Sequence, residues 1–204
     1  MKVEVKRTEG LDIACEAVRL SFNSKPRENM IKMSHEVDLW EDDVELLKKL
    51  IIAGDSHSKV MRMATVWLDL TMPRYWWSEA DQCKVGFVTM SESTAHTLIS
   101  KLKSGKIDIS ESFECTEDNK EAIQWMLEEM ILQAQAEAST EQIKQMLPES
   151  FLQRRIVCTN YQTLRHIYFD RRNHRLPIWH KFLDELLVQL PFPEFITIEK
   201  EVTK

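Results

Sequence analysis

The chain has 204 residues, 43% hydrophobic and 29% charged, a composition that excludes a disordered or collagen-like protein. Its length predicts one domain over residues 1–204 with a sizeable hydrophobic core. Because 33 acidic residues outnumber 27 lysines and arginines, the net charge of −6 excludes a general nucleic-acid binder, although a few local cations are enough to hold a phosphate.

Hydrophobic spacing predicts both strands and helices in the first part of the chain. Polar and apolar residues alternate over 2–8, which predicts a strand. They alternate again over 60–70, where every second residue from Ala64 to Leu70 shares one buried face. The remaining predictions here are a helix over 11–22, a loop over 23–35 and a helix over 42–53 that ends at Gly54.

The rest of the chain is predicted to be mainly helical. Pro73 ends the second strand and begins a helix through PRYWWSEADQ, whereas 84–93 is hydroxyl-rich and irregular. Ser139 and Gln142 form a capping-box pattern that starts a helix ending at Pro148. Strands early in the chain and helices late indicate an α+β fold. Further helices are predicted over 94–103, 119–136, 160–173 and 178–190.

The cysteines and the N-terminal sequence indicate the compartment. No Cys-x-x-Cys pair occurs among Cys15, Cys83, Cys115 and Cys158, which favours free thiols over a disulfide frame or a zinc site. The start of the chain lacks the apolar run of a secretory signal, and no stretch reaches the ~20 apolar residues of a membrane span. No two histidines are four residues apart, so no metal site is predicted. We therefore expect a cytoplasmic protein without a membrane or nucleic-acid partner.

A basic cluster lies between residues 165 and 175 and has two interpretations. Composition favours a solvated helix end, where cations suit the helix dipole. Helix geometry favours a phosphate clamp, because guanidinium groups are bidentate donors. Spacings of 4, 3 and 4 place Asn160, Leu164, Ile167 and Arg171 on one face, roughly 16 Å long at ~1.5 Å per residue. Such a face suits a ligand with separated polar ends.

The polar segment from Glu79 to Thr94 is a second candidate site. It carries hydroxyl groups, acidic residues and Lys84 around Gly86. The segment is either a polar surface loop or a nucleotide-binding loop with one cation, and the residues leave both interpretations open. Four isolated glycines exclude a glycine-rich phosphate loop.

Four blocks of sequence share their order and spacing with a known family. The blocks are a leucine-rich helix followed by Ala53-Gly54 and Ser58, the strand 60–70 with Pro73-Arg74, Gln82-Cys83-Lys84 with Ser91-Glu92-Ser93, and Leu147-Pro148 followed by Asn160 and Leu164. Together they extend over residues 43–190. In this arrangement the chain resembles the flavin-dependent thymidylate synthases (ThyX), in particular phage-type members.

The chain also departs from the family pattern at charged positions. Gln82-Cys83-Lys84 stands where the family has Arg-His-Arg, and Gln162 replaces another arginine. Thr94 and Lys144 stand where the family has arginines that bind the nucleotide. Because a neutral amide does not offset pyrophosphate charge as arginine does, these changes predict weakened or retuned binding.

The resemblance implies a fold, an activity and a set of site residues. The fold is a mixed or antiparallel sheet with flanking helices and a helix-rich C-terminal half. The activity is C5 methylation of dUMP with FAD, NADPH and methylenetetrahydrofolate, in a homotetramer whose sites are shared between subunits. The residues implied to bind the nucleotide substrate are Glu79, Glu92, Ser93, Thr94, Lys144 and Arg171. Those implied to lie along the flavin are Ser58, Gln82, Cys83, Lys84, Asn160 and His166.

Two other functions and one other mechanism stay open at this point. The altered motif also suits a divergent homologue that modifies another pyrimidine nucleotide, for example by hydroxymethylation, or a non-catalytic nucleotide-binding protein. The family needs no protein nucleophile, so no catalytic residue is assigned. Attack by Cys83 on the pyrimidine ring would require a thiol with a depressed pKa.

Overall fold

The described residues contain four strands and a larger number of helices, an α+β fold as predicted. The computed structural model describes residues 1–21, 24, 39–83 and 85–199. The strands β1 (Lys2–Glu9), β2 (Thr65–Pro73), β3 (Val88–Ser91) and β4 (Leu152–Asn160) form an antiparallel sheet in the order β1-β2-β4-β3. The α-helices of these residues are α1 (Leu11–Leu20), α2 (Glu41–Ile52), α3 (Arg74–Ala80), α4 (Ile99–Ser104), α5 (Ile109–Ser112), α6 (Lys120–Gln135), α7 (Thr140–Gln145), α8 (Tyr161–Arg171), α9 (Pro177–Leu187) and α10 (Glu194–Thr197). None of the helices described is both long and apolar enough to cross a membrane.

Two compact units can be distinguished within the chain. Unit 1 comprises Met1–Lys2, Leu70–Gln82 and Thr89–Ile156, and unit 2 comprises Val3–Asp69, Cys83–Val88 and Val157–Lys204. The candidate site residues are distributed over both units, and each unit is described by itself.

The core of unit 1 is built on α6. Its buried residues from Ile123 to Ala134 recur at spacings of four and three, so they form one stripe along the helix. Phe113 and Phe151 pack edge to face, with ring centroids 5.7 Å apart, and their backbones form an antiparallel bridge. The capping box predicted at Ser139 is present, since its hydroxyl accepts the amide N–H of Gln142 and the Gln142 side chain accepts the Ser139 N–H.

The core of unit 2 combines aromatic packing with one buried ion pair. Trp179 and Phe182 of α9 pack edge to face at 5.8 Å between centroids, and both are fully buried. Arg19 of α1 pairs with Asp43 of α2, whose exposed fraction is only 4%. Because a buried carboxylate is costly without a partner, this pair links the two helices firmly.

Most predicted elements are confirmed. They are the strand at 2–8, the helices at 11–22, 42–53, 94–103, 119–136, 160–173 and 178–190, and the helices beginning at Pro73 and Ser139. Gly54 follows α2 with a φ of +107°, as expected of a residue that ends a helix. The helix over 94–103 begins with a π-helical turn at Thr94–Leu98 and continues as α4. The loop predicted over 23–35 lies outside the described residues, apart from Ser24.

Three predictions of local structure are wrong. The strand predicted from residue 60 begins at Thr65, because Ser58–Arg62 forms a 3₁₀ helix. The segment 84–93 is not wholly irregular, since it contains β3. The second half of the chain also contains β4, which the sequence pattern did not indicate, because its more buried side includes the polar Gln153 and Arg155 while Ile156 is 37% exposed.

Candidate functional site

The start of α8 is the structural centre of the candidate site in unit 2. Asn160 takes an extended conformation at the end of β4, and its side-chain oxygen accepts the N–H of Thr163 at 2.9 Å. Asparagine is a favoured residue at this position, since it satisfies a helix N–H that has no partner in the preceding turn. The predicted flavin-binding Asn160 thus has a structural role as the helix cap.

A short loop of unit 2 packs against this helix start. The hydroxyl of Thr163 donates to the carbonyl oxygen of Val85 at 3.1 Å. Gly86 has a φ of +71°, and a Cβ atom there would lie 2.5 Å from the Thr163 hydroxyl and 2.6 Å from the Asn160 amide nitrogen. Only glycine allows this approach, so Gly86 positions the loop that also carries Cys83. Lys84, predicted beside it, lies outside the described residues.

A buried polar network surrounds Gln162, the second residue of α8. Gln162 is 2% exposed, and its carbonyl oxygen accepts from the hydroxyl of buried Ser58 at 3.1 Å. Its amide nitrogen is 3.1 Å from Oδ1 of Asp55 and 3.0 Å from Nε2 of His166. The structure therefore brings together Ser58 and His166, two of the predicted flavin-binding residues, through a glutamine at the position where the family has an arginine.

A cleft with a volume of about 460 Å³ opens beside this network in unit 2. The guanidinium groups of Arg165 and Arg172 lie 4.6 and 4.7 Å from the ring centroid of Phe169. Arg165 also donates to the carbonyl oxygen of Ile196 at 3.0 Å, and burial lowers the pKa of its guanidinium. The cleft is lined by Asp55, Arg165, His166, Phe169, Asp170, Arg172 and Glu199.

Arg171 differs from the neighbouring arginines. Its Nε atom is buried and has no hydrogen-bond partner in the described part of the chain, and its guanidinium lies 5.1 Å from the ring centroid of Trp179. Arg172, by contrast, donates to a carboxylate oxygen of Glu199 at 2.8 Å. A buried donor without a partner is costly unless a ligand satisfies it, so Arg171 is the member of the basic cluster best suited to bind an anion.

Cys83 of unit 2 lies in the electrostatic field of Arg171. Burial raises the pKa of its thiol, and the Asp170 carboxylate raises it further, while the Arg171 guanidinium lowers it in part. The net direction is upward, so the thiol stays protonated near neutral pH. The depressed pKa that a nucleophilic Cys83 would need is therefore not found.

The helix face predicted to line a ligand is only partly exposed. Leu164 is fully buried and Ile167 is 4% exposed, so the middle of this face belongs to the core of unit 2. Asn160 and Arg171 at its two ends are partly exposed. These two ends are the parts of the face that remain available to a ligand.

Unit 1 contains the other predicted residues, distributed over several elements. The N–H of Glu92 donates to the carbonyl oxygen of Arg154, which fixes the end of β3 to β4. Ser93 precedes the π-helical turn that begins at Thr94, and its carbonyl oxygen accepts from the Thr97 hydroxyl at 2.7 Å. The remaining three are Glu79 on α3, Gln82 just after it, and Lys144, which is exposed on α7.

The sequence alone did not indicate the role of Asp55, Gly86 or Thr163. Asp55 and Gln162 are 107 positions apart, so no local spacing relates them. A threonine three residues after Asn160 fits many helix starts, and a lone glycine gives no indication of which helix it approaches. Only the buried glutamine at 162 could have suggested a polar network, through its position on the buried side of α8.

Comparisons with known proteins agree with this fold. The family model described as "Thy1: Thymidylate synthase complementing protein" matches residues 5–180. Two solved structures of Helicobacter pylori ThyX, both with FAD and dUMP, are similar at 18% sequence identity. One has a TM-score of 0.79 over 96% of each chain, and the other a TM-score of 0.80 over 100% of each chain. No curated protein matches this sequence. The matched residues make up most of the chain, which therefore belongs to the ThyX family of flavin-dependent thymidylate synthases.

Proposed function

We propose that this protein methylates C5 of dUMP, using FAD as the resident cofactor, methylenetetrahydrofolate as the one-carbon donor and NADPH as the reductant. Membership of the ThyX family supports the reaction class. The Helicobacter pylori relatives, with a similar fold, are complexed with FAD and dUMP, which supports these two ligands. The observation that carries the proposal is Arg171, whose buried Nε atom has no hydrogen-bond partner among the residues that the structure describes.

Arg171 is proposed to bind the anionic part of the nucleotide. Its guanidinium is held against Trp179 at 5.1 Å, so its position is fixed before a ligand arrives. Charged hydrogen bonds from arginine to phosphate are stronger than neutral ones and bidentate in geometry. Other residues proposed for the nucleotide are Glu79, Glu92, Ser93, Thr94 and Lys144.

The polar groups beside α8 fit the ring system of a flavin better than its pyrophosphate. Gln162 and Ser58 are neutral, and His166 is half-exposed beside them. Neutral donors and acceptors suit the carbonyl and N–H groups of a heterocycle, whereas a pyrophosphate requires cations. We propose that His166 and the Asn160 end of α8 orient the ring system, with Ser58, Gln82, Cys83 and Lys84 as further contacts. A bound flavin would supply the hydride chemistry, while the protein binds and orients the reactants.

Absorbance spectroscopy and product analysis test this proposal. The purified protein should bind added FAD with a shifted flavin spectrum, and should convert dUMP to dTMP when given methylenetetrahydrofolate and NADPH. Mass analysis of the nucleotide distinguishes a methyl from a hydroxymethyl product. A protein that neither binds FAD nor changes dUMP would contradict the proposal and favour a non-catalytic nucleotide-binding protein.

A pair of neighbouring arginines gives the matched control. Arg171→Ala should weaken dUMP binding about 10–100-fold, since a hydrogen bond to a charged group contributes about 1.5–3 kcal/mol. Arg172→Ala removes the same charge from the residue that follows α8, but its side chain already pairs with Glu199. Equal losses in the two variants would show that only the overall charge matters, and that Arg171 holds no nucleotide.

We also propose that the protein forms a homo-oligomer, which light scattering would test. Val85 and Val88 of unit 2 are 81% and 69% exposed, so these apolar side chains are available to a contact with a second copy of the chain. Val88→Asp should shift the measured mass toward that of the 24.1 kDa chain. A wild-type protein with the mass of one chain would refute the proposal.

A further inference from the structure

Gln162 of unit 2 forms hydrogen bonds with Ser58, Asp55 and His166. We propose that Gln162 is a positioning residue that fixes the His166 imidazole as the Nδ1–H tautomer. The cleft beside α8 is then lined by a hydrogen-bond donor from His166 and by the carboxylate acceptor of Asp55. The inference rests on the proposed function only for the identity of the ligand.

The orientation of the Gln162 amide follows from its neighbour Asp55. A carboxylate only accepts hydrogen bonds, so the group 3.1 Å from Oδ1 of Asp55 must be the NH₂ group of Gln162. The amide oxygen then faces Ser58, and the Ser58 hydroxyl donates to it at 3.1 Å. Both heavy atoms of the amide are thereby assigned by hydrogen-bond chemistry.

The tautomer of His166 follows from the amide orientation. The NH₂ group has two protons, one toward Asp55 and one toward Nε2 of His166 at 3.0 Å. Nε2 must therefore accept, and a neutral imidazole that accepts at Nε2 carries its proton on Nδ1. Because Gln162 is only 2% exposed, water does not readily replace it in this network.

The resulting pattern selects a ligand by its chemistry. Asp55 and His166 both line the cleft, and about half of each side chain is exposed. Nε2 of His166 lies 3.7 Å from Oδ1 of Asp55. A donor at Nδ1 and an acceptor at Asp55 on the same cleft suit a heterocycle that carries both carbonyl and ring N–H groups, such as the flavin ring or the uracil base. The other charged groups on the cleft are Arg165, Asp170, Arg172 and Glu199.

Nitrogen NMR of the ligand-free protein tests the tautomer directly. With ¹⁵N-labelled histidine at pH 8, wild-type His166 should show a protonated Nδ1 and an unprotonated Nε2. In Gln162→Glu the new carboxylate can only accept, so Nε2 should carry a proton. Asp55→Ala, at a half-exposed position, removes the acceptor of the Gln162 NH₂ group, so it should release the amide orientation and give a mixture of tautomers. Gln145→Glu, which adds the same charge on the exposed surface of α7, should leave His166 unchanged.

The outcomes separate this inference from the proposed function. An Nε2–H tautomer in the wild type, or the same tautomer in wild type and Asp55→Ala, would overturn the positioning role even if Gln162→Glu fails to fold. Adding FAD or dUMP separately should shift the His166 Nδ1 resonance with one of them, which identifies the ligand. If both bind and neither shifts it, the role of the cleft is refuted. Failure to bind FAD at all would count against the proposed function and leave the tautomer result standing.

Discussion

Replacement of Gly86 by alanine tests how the loop at residues 85–88 is held against α8. An alanine there would have to adopt a φ of +71° and place its Cβ 2.5 Å from the Thr163 hydroxyl. The left-handed conformation alone costs roughly 1–2 kcal/mol. The close approach of the Cβ atom should also break the Thr163–Val85 hydrogen bond, which costs about 0.5–1.5 kcal/mol of stability. It should weaken the Asn160 cap as well, which costs about 0.5–2 kcal/mol.

Gly105 provides the matched control for this substitution. Its φ is +64°, but no atom of the described residues lies within 4 Å of a Cβ built on it, so Gly105→Ala measures the conformational cost alone. We expect Gly86→Ala to be less stable than Gly105→Ala by about 2 kcal/mol, which is roughly 4–8 °C in Tm for a chain of this size.

The assay is thermal and urea unfolding followed by circular dichroism. Thr163→Ala in the Gly86→Ala background removes the atom nearest to the new Cβ, so the two substitutions should couple by at least about 0.5 kcal/mol. Equal stabilities of Gly86→Ala and Gly105→Ala, together with no coupling to residue 163, would refute the close packing of this loop on α8.

Three further predictions concern stability. Arg19→Ala should lower the free energy of unfolding in urea by about 3 kcal/mol, because it leaves the buried Asp43 carboxylate unpaired. Arg7→Ala, which removes the exposed Arg7–Glu9 pair, should lower it by about 1 kcal/mol or less. Ser139→Ala should cost about 1 kcal/mol by removing a capping box, and Ser139→Asp should restore part of it. Burial raises the pKa of Cys15 from 9.0 to about 12. The thiol therefore ionises at lower pH in the unfolded chain than in the folded protein, and stability should fall as pH rises from about 9 to 12, by at most about 1.4 kcal/mol per pH unit. The urea midpoint of a Cys15→Ala variant should depend less on pH over that range than the midpoint of the wild type. An equal pH dependence in the two proteins would show that Cys15 is not its source.

The elements that could be predicted from sequence are those with local signals. The α8 helix begins at Asn160 because asparagine accepts a hydrogen bond from the third residue of the helix, a contact within four positions. The capping box at Ser139 and the helix after Pro73 follow from equally local rules. Each signal needs only a few neighbouring residues, so each is visible in the chain itself.

The parts that could not be predicted depend on distant contacts. In β4 the more buried and the more exposed residues alternate from residue 153 onward, but the more buried side includes the polar Gln153 and Arg155, so the hydropathy of the sequence shows no period of two. The 3₁₀ helix at Ser58–Arg62 places Ser58 where it donates to Gln162, 104 positions away. Because Ser58 and Asp55 are more than 100 positions from Gln162, the sequence did not indicate that these residues form a network. It showed only that a glutamine stands where the resemblance implies an arginine.

Thiol reactivity tests the arrangement of Cys83 and Arg171 independently of any ligand. Burial keeps the Cys83 pKa raised, and Arg171 opposes that effect, so Arg171→Ala should raise the Cys83 pKa further and slow alkylation by iodoacetamide at pH 8. Asp170→Asn removes the carboxylate that raises the pKa and should speed the same reaction. Each pKa unit changes the thiolate fraction about tenfold in this range, so rates resolved by mass spectrometry give the direction clearly.

Cys83→Ser separates this electrostatic effect from catalysis. Because the Cys83 thiol stays protonated near neutral pH, the variant should retain most dUMP turnover. Loss of turnover would instead support a nucleophilic role for Cys83, contrary to what its raised pKa indicates. The same variant shows which alkylation signal belongs to Cys83 rather than to Cys115 or Cys158, which are also partly exposed. If Arg171→Ala and Asp170→Asn change the Cys83 rate in the same direction, their charges do not act on this thiol. Opposite changes would support an Arg171 guanidinium whose charge already acts at this end of α8 before any nucleotide binds.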